Sequence, residues 1–253
     1  GSDRRRNLTK QKIMEKQRTG NTRNPILERI QIGSKEITVV RDDLLPGGTK
    51  EAALGQFINE LPEVELVYAG PRQGYAQIAL AAACLAVNKR ATLFLASSKV
   101  LHPCTEKAIS LGATVKTVSP GYLSVVQARA RSYCEENRAR LMPFGLACEE
   151  MVAAIATRAL SIPFTPSEVW SVAGSGTLQR GLQRAWPKAR FYAVQIGKEP
   201  NAGIARVILA PEKYEQSAKS PPPFPSCANY DAKAWKHILS ESSNETLFWN
   251  VAS

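Results

Sequence analysis

Short runs of β-branched and aromatic residues alternate with helix-forming segments along most of the chain, and this alternation limits the available folds more than any other feature. The predicted strands cover residues 37–40, 65–69, 91–95, 114–118, 168–173 and 190–196, and the predicted helices cover residues 50–58, 76–85, 105–111, 123–136, 148–160 and 178–185. Strands that alternate with helices are joined by right-handed crossovers and form a mainly parallel sheet. The sequence therefore predicts an α/β fold, with a mainly parallel sheet and flanking helices.

The positive charge of the chain is concentrated near its N-terminus. Of the net charge of +11 over 253 residues, residues 3–24 carry eight basic and two acidic side chains, which amounts to +6. Such an arm can follow the phosphates of a nucleic acid. The alternative is a solvated tail. We expect residues 1–24 to be a basic, flexible arm, with nucleic acid as a candidate partner through residues 3–24.

Other bulk features exclude several classes of protein. The five cysteines are widely spaced without a CxxC pair, and His102 and His237 lie far apart, so neither a disulfide framework nor a zinc site is indicated. No apolar run approaches the ~20 residues needed to cross a bilayer. No apolar segment of the signal-peptide type follows the polar N-terminus. We therefore expect a cytoplasmic location, no metal and no membrane partner.

Lys50 is the first candidate for chemistry. It opens a predicted helix directly after a glycine turn at residues 47–48. Backbone N–H groups converge at such a point, disfavour a second positive charge and lower the pKa of the amine toward nucleophilic use. The alternative is that Lys50 is a solvated lysine in a first helical turn, which is the commoner case.

The second candidate is the strand–glycine–helix junction at Gly174-Ser175-Gly176-Thr177. Glycines let the backbone approach a phosphate closely, the helix N-terminus favours negative charge, and the two hydroxyls add donors. A purely steric turn is the alternative. The junction lacks both the full GxGxxG pattern and a Walker lysine, which makes dinucleotide or ATP binding less favoured.

The third candidate is Asp231, which follows Tyr230 at the start of a predicted helix after a long loop. An acid at this point is either an ordinary helix cap or a carboxylate that faces a heterocyclic nitrogen.

Together these segments resemble fold-type II (tryptophan synthase β-like) pyridoxal-phosphate (PLP) enzymes, most of all the aminocyclopropane-carboxylate deaminase and D-cysteine desulfhydrase group. Residues 41–44 (RDDL) and 47–50 (GGTK) resemble that group's K-R-D-D-L and G-G-N-K segments, with Thr49 in place of Asn. Residues 174–178 are similar to its G-S-G-G-T phosphate cup, and residues 230–233 to its Y-E-G-K element. The likeness runs in order from about residue 25 to the C-terminus.

The resemblance implies a cofactor and roles for particular residues. Pyridoxal 5'-phosphate would be bound as a Schiff base to Lys50, which would then act as general base or acid. Asp231 would pair with the pyridine nitrogen, and Tyr230 would donate or accept a proton. The implied phosphate-binding residues are Gly174, Ser175, Gly176, Thr177 and Leu178.

One segment departs from the group's pattern. Where the group has a G-G-x-Q-S-N-H loop, residues 70–76 retain Gln73 but have Gly74 and Tyr75 at the Ser and Asn positions. Arg72 offers a fork for a carboxylate or phosphate. Tyr75 either covers the cofactor ring, as a further catalytic residue, or packs under the loop. We therefore predict Arg72, Gln73, Gly74 and Tyr75 as substrate-binding residues.

The chain is short for this group, which implies a reduced small lobe. We predict a large PLP-binding domain at residues 25–70 and 151–253 and a small lobe at residues 71–150. The expected function is a PLP-dependent lyase, deaminase or decarboxylase that acts at the Cα of an amino acid, and the resemblance implies a homodimer.

Two alternatives stay open. One is the same chemistry on an amino acid attached to a DNA base, as in phage thymine hypermodification, with the host cytoplasm as the location. The other is a non-catalytic nucleic-acid-binding module with a degenerate PLP fold.

Overall fold

A computed structural model describes residues 24–119, 121–213 and 215–253. The predicted basic arm lies outside the described residues, except for Asn24. In chain order the strands are β1 (Leu27–Ile32), β2 (Lys35–Arg41), β3 (Glu65–Ala69), β4 (Arg90–Ala96), β5 (Thr114–Val118), β6 (Arg140–Leu141), β7 (Glu168–Ala173), β8 (Arg190–Gln195), β9 (Arg206–Leu209) and β10 (Glu245–Asn250). The helices are α1 (Gly48–Phe57), α2 (Ala76–Ala86), α3 (Pro103–Ser110), α4 (Leu123–Asn137), α5 (Glu149–Leu160), α6 (Thr177–Ala185) and α7 (Trp235–Glu241).

The chain divides into two compact units. The larger unit consists of Asn24–Ala53 and Pro143–Ser253, and the described part of the smaller unit is residues 54–119 and 121–142. The sequence predicts boundaries after residue 70 and after residue 150. The structure sets the first within α1, because β3 pairs with β4 and β6 and so belongs to the sheet of the smaller unit, and it sets the second after Met142.

The larger unit contains a six-stranded sheet in the order β1-β2-β10-β7-β8-β9. Only the β1–β2 pair is antiparallel, and the other neighbours are parallel. Every residue of β7 is buried, as expected for a central parallel strand covered on both faces. Trp170 of β7 and Phe248 of β10 belong to the core beside these strands, and Trp170 stacks on Tyr192 with ring centroids 4.5 Å apart.

Three neighbouring strands of this sheet, β2, β10 and β7, run parallel and therefore end at the same edge. The segment that leads to Lys50 follows β2, residues 251–252 follow β10, and the Gly174 turn follows β7. Ligands of open α/β sheets bind at the carboxyl ends of the strands. The topology thus gathers three separate stretches of chain at one edge.

The smaller unit contains a four-stranded, fully parallel sheet in the order β5-β4-β3-β6. Val67, Phe94 and Val126 are buried in its core, where α4 packs against the sheet. The predicted α/β fold with mainly parallel strands is confirmed, although the strands form two sheets. None of the helices among the described residues is long and apolar enough to span a membrane.

Candidate functional site

Lys50 lies in the first turn of α1. The turn is fixed on both sides, because the N–H of Gly48 donates to the carbonyl of Leu45 at 3.0 Å and the N–H of Gly47 donates to the carboxylate of Glu51 at 2.6 Å. Gly48 has a φ of +62°, and an added Cβ there would collide with the carbonyl oxygen of Val251. Only glycine fits this position, so α1 begins in close contact with the end of β10.

The side chain of Lys50 is half-buried, and burial lowers the pKa of its amine from 10.5 to about 8. The pKa is lowered by desolvation of the ammonium, whereas the sequence predicts an effect of the helix N-terminus. A lower pKa increases the share of free amine at neutral pH, and the free amine is the nucleophilic form.

The Gly174 turn joins β7 to α6. The hydroxyl of Ser175 accepts from the N–H of Thr177 at 3.3 Å and lies 3.0 Å from the Thr177 hydroxyl. Gly176 has a φ of +86°, and a Cβ there would collide with the carbonyl of Asn201. The residue before α6 therefore has no side chain, at the point where a helix N-terminus favours an anion.

Replacing Gly176 with alanine should weaken both the fold and the binding of a phosphate-bearing cofactor. Gly197→Ala is the matched control, because Gly197 has a φ of +78° but nothing within 4 Å of an added Cβ. We expect Gly197→Ala to cost about 1 kcal/mol of backbone strain, and Gly176→Ala to cost more because of the collision. Thermal unfolding and PLP titration of both variants measure this. Equal PLP affinity in the two variants would contradict the assignment of the phosphate turn.

Asp231 begins a short 3-10 helix, Asp231–Ala234, that leads into α7. Its side chain is fully buried. Oδ2 accepts from the N–H of Ala252 at 3.1 Å, whereas Oδ1 has no hydrogen-bond partner among the described residues. Burial raises the pKa of this carboxyl from 3.8 to about 8, against the backbone N–H groups of Ala252 and Val251, which lower it, and together with the charges of Asp43 and Asp42, which raise it. A buried acceptor of this kind favours a ligand that brings an N–H group.

The two acids near Asp231 each have a guanidinium partner. Arg158 donates to Asp42 at 2.5 Å from Nη2 and 3.1 Å from Nε, and Arg41 donates to both oxygens of Asp43 at 2.8 Å. Among these three carboxyls, Oδ1 of Asp231 is thus the oxygen that has no hydrogen-bond partner among the described residues. A cationic N–H group placed against it would complete the pairing.

Tyr230 lies against the glycine turn. Its hydroxyl is 3.1 Å from the position that a Cβ on Gly174 would take. Asp231 bonds Ala252 and Gly48 contacts Val251, so both flank the end of β10. The structure therefore brings Lys50, the Gly174 turn, Tyr230 and Asp231 to one edge of the larger unit's sheet.

The predicted substrate-binding residues belong to the smaller unit, in the loop between β3 and α2. The carbonyl of Arg72 accepts from Gln77 Nε2 at 2.5 Å and from the Thr105 hydroxyl at 3.4 Å. The carbonyl of Gln73 accepts from the Cys104 thiol at 3.7 Å, and Tyr75 occupies the N-cap position of α2. Residues 70–75, including Gly74, thus form a compact loop at the N-terminus of α2.

Sequence reasoning missed Val251 and Ala252, which hold the lysine turn and the acid through backbone atoms. Backbone contacts leave no signature in residue types, so no signal in the sequence could have found them. Arg158 and Trp249, which both bond Asp42, were missed for a different reason, because their contacts depend on how distant segments pack.

Comparison with known proteins identifies the fold of the chain. No protein-family model matches the sequence, and no curated protein matches it. A structure described as an ACC deaminase homologue is 17% identical, with a TM-score of 0.69 over 90% of this chain and 89% of the other. A threonine deaminase from T.th. is 12% identical, with a TM-score of 0.67 over 92% of both chains. O-acetylserine sulfhydrylase isoform 3 of Entamoeba histolytica is 13% identical, with a TM-score of 0.65 over 90% and 86%. The chain therefore has the fold of the fold-type II PLP enzymes.

Proposed function

We propose that the chain is a PLP-dependent enzyme that acts at the Cα of an amino-acid substrate. The observation that carries the proposal is the buried Asp231, whose Oδ1 has no partner among the described residues, at the same sheet edge as Lys50. A buried acceptor and an amine of lowered pKa are the two groups that a PLP site needs at opposite ends of the cofactor ring.

The residues at this edge fit PLP. When bound, PLP supplies an aldehyde that joins covalently to amines and a protonated ring that withdraws electrons from Cα. Lys50 would hold the aldehyde, and the backbone of the Gly174 turn would hold the phosphate. Asp231 would accept the ring N–H through Oδ1, and this cation would lower its raised pKa because an opposite charge favours the carboxylate.

Two side chains are suited to move protons. Lys50, with a pKa of about 8, can accept a proton from Cα and return one near neutral pH. The Tyr230 hydroxyl lies beside Gly174, so it would stand near the phosphate and would donate or accept a proton there.

We propose deamination or elimination on a free small amino acid as the reaction. Support comes from the names of structures that share the fold, which include an ACC deaminase homologue and a threonine deaminase. The test is a panel of amino acids incubated with the PLP-loaded chain, with ammonia and keto acid measured by mass spectrometry. We expect release of ammonia from at least one small amino acid. An amine product that has lost CO₂ would indicate decarboxylation, and turnover of aminoacyl-modified DNA alone would favour a DNA-linked substrate. No product from any substrate would contradict an enzymatic role.

A further inference from the structure

Thr49, which directly precedes Lys50, belongs to a buried hydrogen-bond network with Asp42 and Trp249. We propose that Thr49 is a positioning residue: its hydroxyl, held between Asp42 and Trp249, fixes the first turn of α1 so that Lys50 keeps a set distance from Asp231. This inference rests on the proposed function, since it assigns a role in the attachment of PLP to Lys50.

The contacts of Thr49 are short and buried. Its hydroxyl donates to Asp42 Oδ2 at 2.8 Å and accepts from the indole N–H of Trp249 at 2.9 Å. Thr49 is 2% exposed, and Asp42 and Trp249 are fully buried. The hydroxyl therefore uses one donor and one acceptor at once.

The partners of Thr49 are themselves fixed. Asp42 is bound by the guanidinium of Arg158 at 2.5 Å and also accepts from Trp249 Nε1 at 3.2 Å. Thr49 thus joins the lysine helix to a buried ion pair, and a network whose members are all satisfied is rigid.

The same network reaches the acid. Trp249 lies in β10, and three residues later the N–H of Ala252 binds Asp231 at 3.1 Å. One strand end therefore contacts Thr49 through a side chain and Asp231 through the backbone. Because Thr49 directly precedes Lys50, its hydroxyl sets where the amine stands relative to the acid.

The test measures how fast PLP attaches to Lys50 in the full chain. PLP is added to each variant, the adduct is fixed with borohydride at timed intervals, and the fraction of modified Lys50 is read by peptide mass spectrometry across a pH series. We expect Thr49→Val to slow attachment about tenfold to a hundredfold, because displacement of a reacting group by about 1 Å has effects of this size. Thr49→Ser, which keeps the hydroxyl, should restore the rate. If Thr49→Val does not fold, Thr49→Ala removes the hydroxyl without added volume and carries the same expectation.

Thr92→Val is the matched control for a purely structural loss. The Thr92 hydroxyl is buried and donates to the carboxylate of Glu65 at 2.6 Å in the smaller unit. This variant should lower the melting temperature to a similar extent while attachment at Lys50 stays unchanged. Attachment in Thr49→Val at the unaltered rate, or equal slowing in Thr49→Ser or Thr92→Val, would overturn the inference. Absence of attachment in the unaltered chain would instead overturn the proposed function.

Discussion

Replacement of Asp231 by asparagine should stabilise the chain without cofactor at alkaline pH and impair it as an enzyme. The asparagine oxygen can still accept from the N–H of Ala252, so the change removes mainly a buried charge. We expect the free energy of unfolding near pH 9 to exceed that of the unaltered chain by about 4 kcal/mol, because a buried carboxylate with an unsatisfied oxygen is costly.

The pKa of Asp231 determines the direction in which stability changes with pH. The carboxyl of Asp231 has a pKa raised from 3.8 to about 8. Between these values the folded state holds a proton that the unfolded state has lost, so stability falls as pH rises through this window, by roughly 1.4 kcal/mol per pH unit. The Asp231→Asn variant lacks this loss. Urea unfolding of both proteins near pH 5 and near pH 9 should therefore show similar stability at the lower pH and a gap at the higher pH.

With PLP present the effect of Asp231→Asn should reverse. A neutral amide cannot keep the ring nitrogen protonated, so we expect turnover to fall about a hundredfold or more while PLP still attaches to Lys50. The measurement is the rate of product formation beside the extent of attachment. A variant with unaltered turnover would remove Asp231 from the site, and a variant less stable than the unaltered chain near pH 9 would contradict the unsatisfied Oδ1.

Replacement of Asp42 by asparagine should have the opposite effect on stability. Asp42 is fully buried and bonded by Arg158, whose side chain is 5% exposed. Removing one charge of a buried pair leaves the other without its counter-charge, so we expect a loss of about 3–5 kcal/mol in the free energy of unfolding. Chemical unfolding of the cofactor-free chain at neutral pH measures it.

Two controls separate the buried charge from other effects. The double variant Asp42→Asn/Arg158→Met should recover much of the loss, because the second change removes the uncompensated guanidinium. Glu149→Gln breaks the exposed pair between Glu149 and Arg184 and should cost less than about 1 kcal/mol. A loss for Asp42→Asn no larger than for Glu149→Gln would show that the ion pair with Arg158 contributes nothing.

The parts of the fold that could be predicted from sequence are those with a strong pattern. The predicted strands at residues 65–69, 114–118 and 168–173 coincide with β3, β5 and β7. The strands that the pattern missed are β1, β6, β9 and β10, of which β10 is a buried strand between β2 and β7. Of these, β1 and β9 are edge strands with mostly polar or exposed residues, and β6 has only two residues. An edge strand buries little apolar surface, so its sequence carries little periodicity.

Within the site, residue types that a reaction needs could be predicted, whereas the groups that hold them could not. Lys50 and Asp231 are chemically distinctive and lie beside recognisable turns. Arg158 lies within an apolar helix, and its contact with Asp42 spans 116 positions in sequence. In the sequence, Thr49 is only a departure from the G-G-N-K pattern. Its contacts with Asp42 and Trp249 are seen only in the structure. Long-range pairing of buried polar groups depends on packing that no local pattern encodes.

Reductive trapping of PLP identifies the lysine that holds the cofactor. The chain is loaded with PLP, reduced with borohydride, digested and mapped by mass spectrometry. We expect a single phosphopyridoxyl group on Lys50 and none after Lys50→Ala. Lys233 is the matched internal comparison, since it is a buried lysine whose Nζ donates to the carbonyl of Lys213 at 2.8 Å. A label on Lys233, or no label on Lys50, would contradict the account.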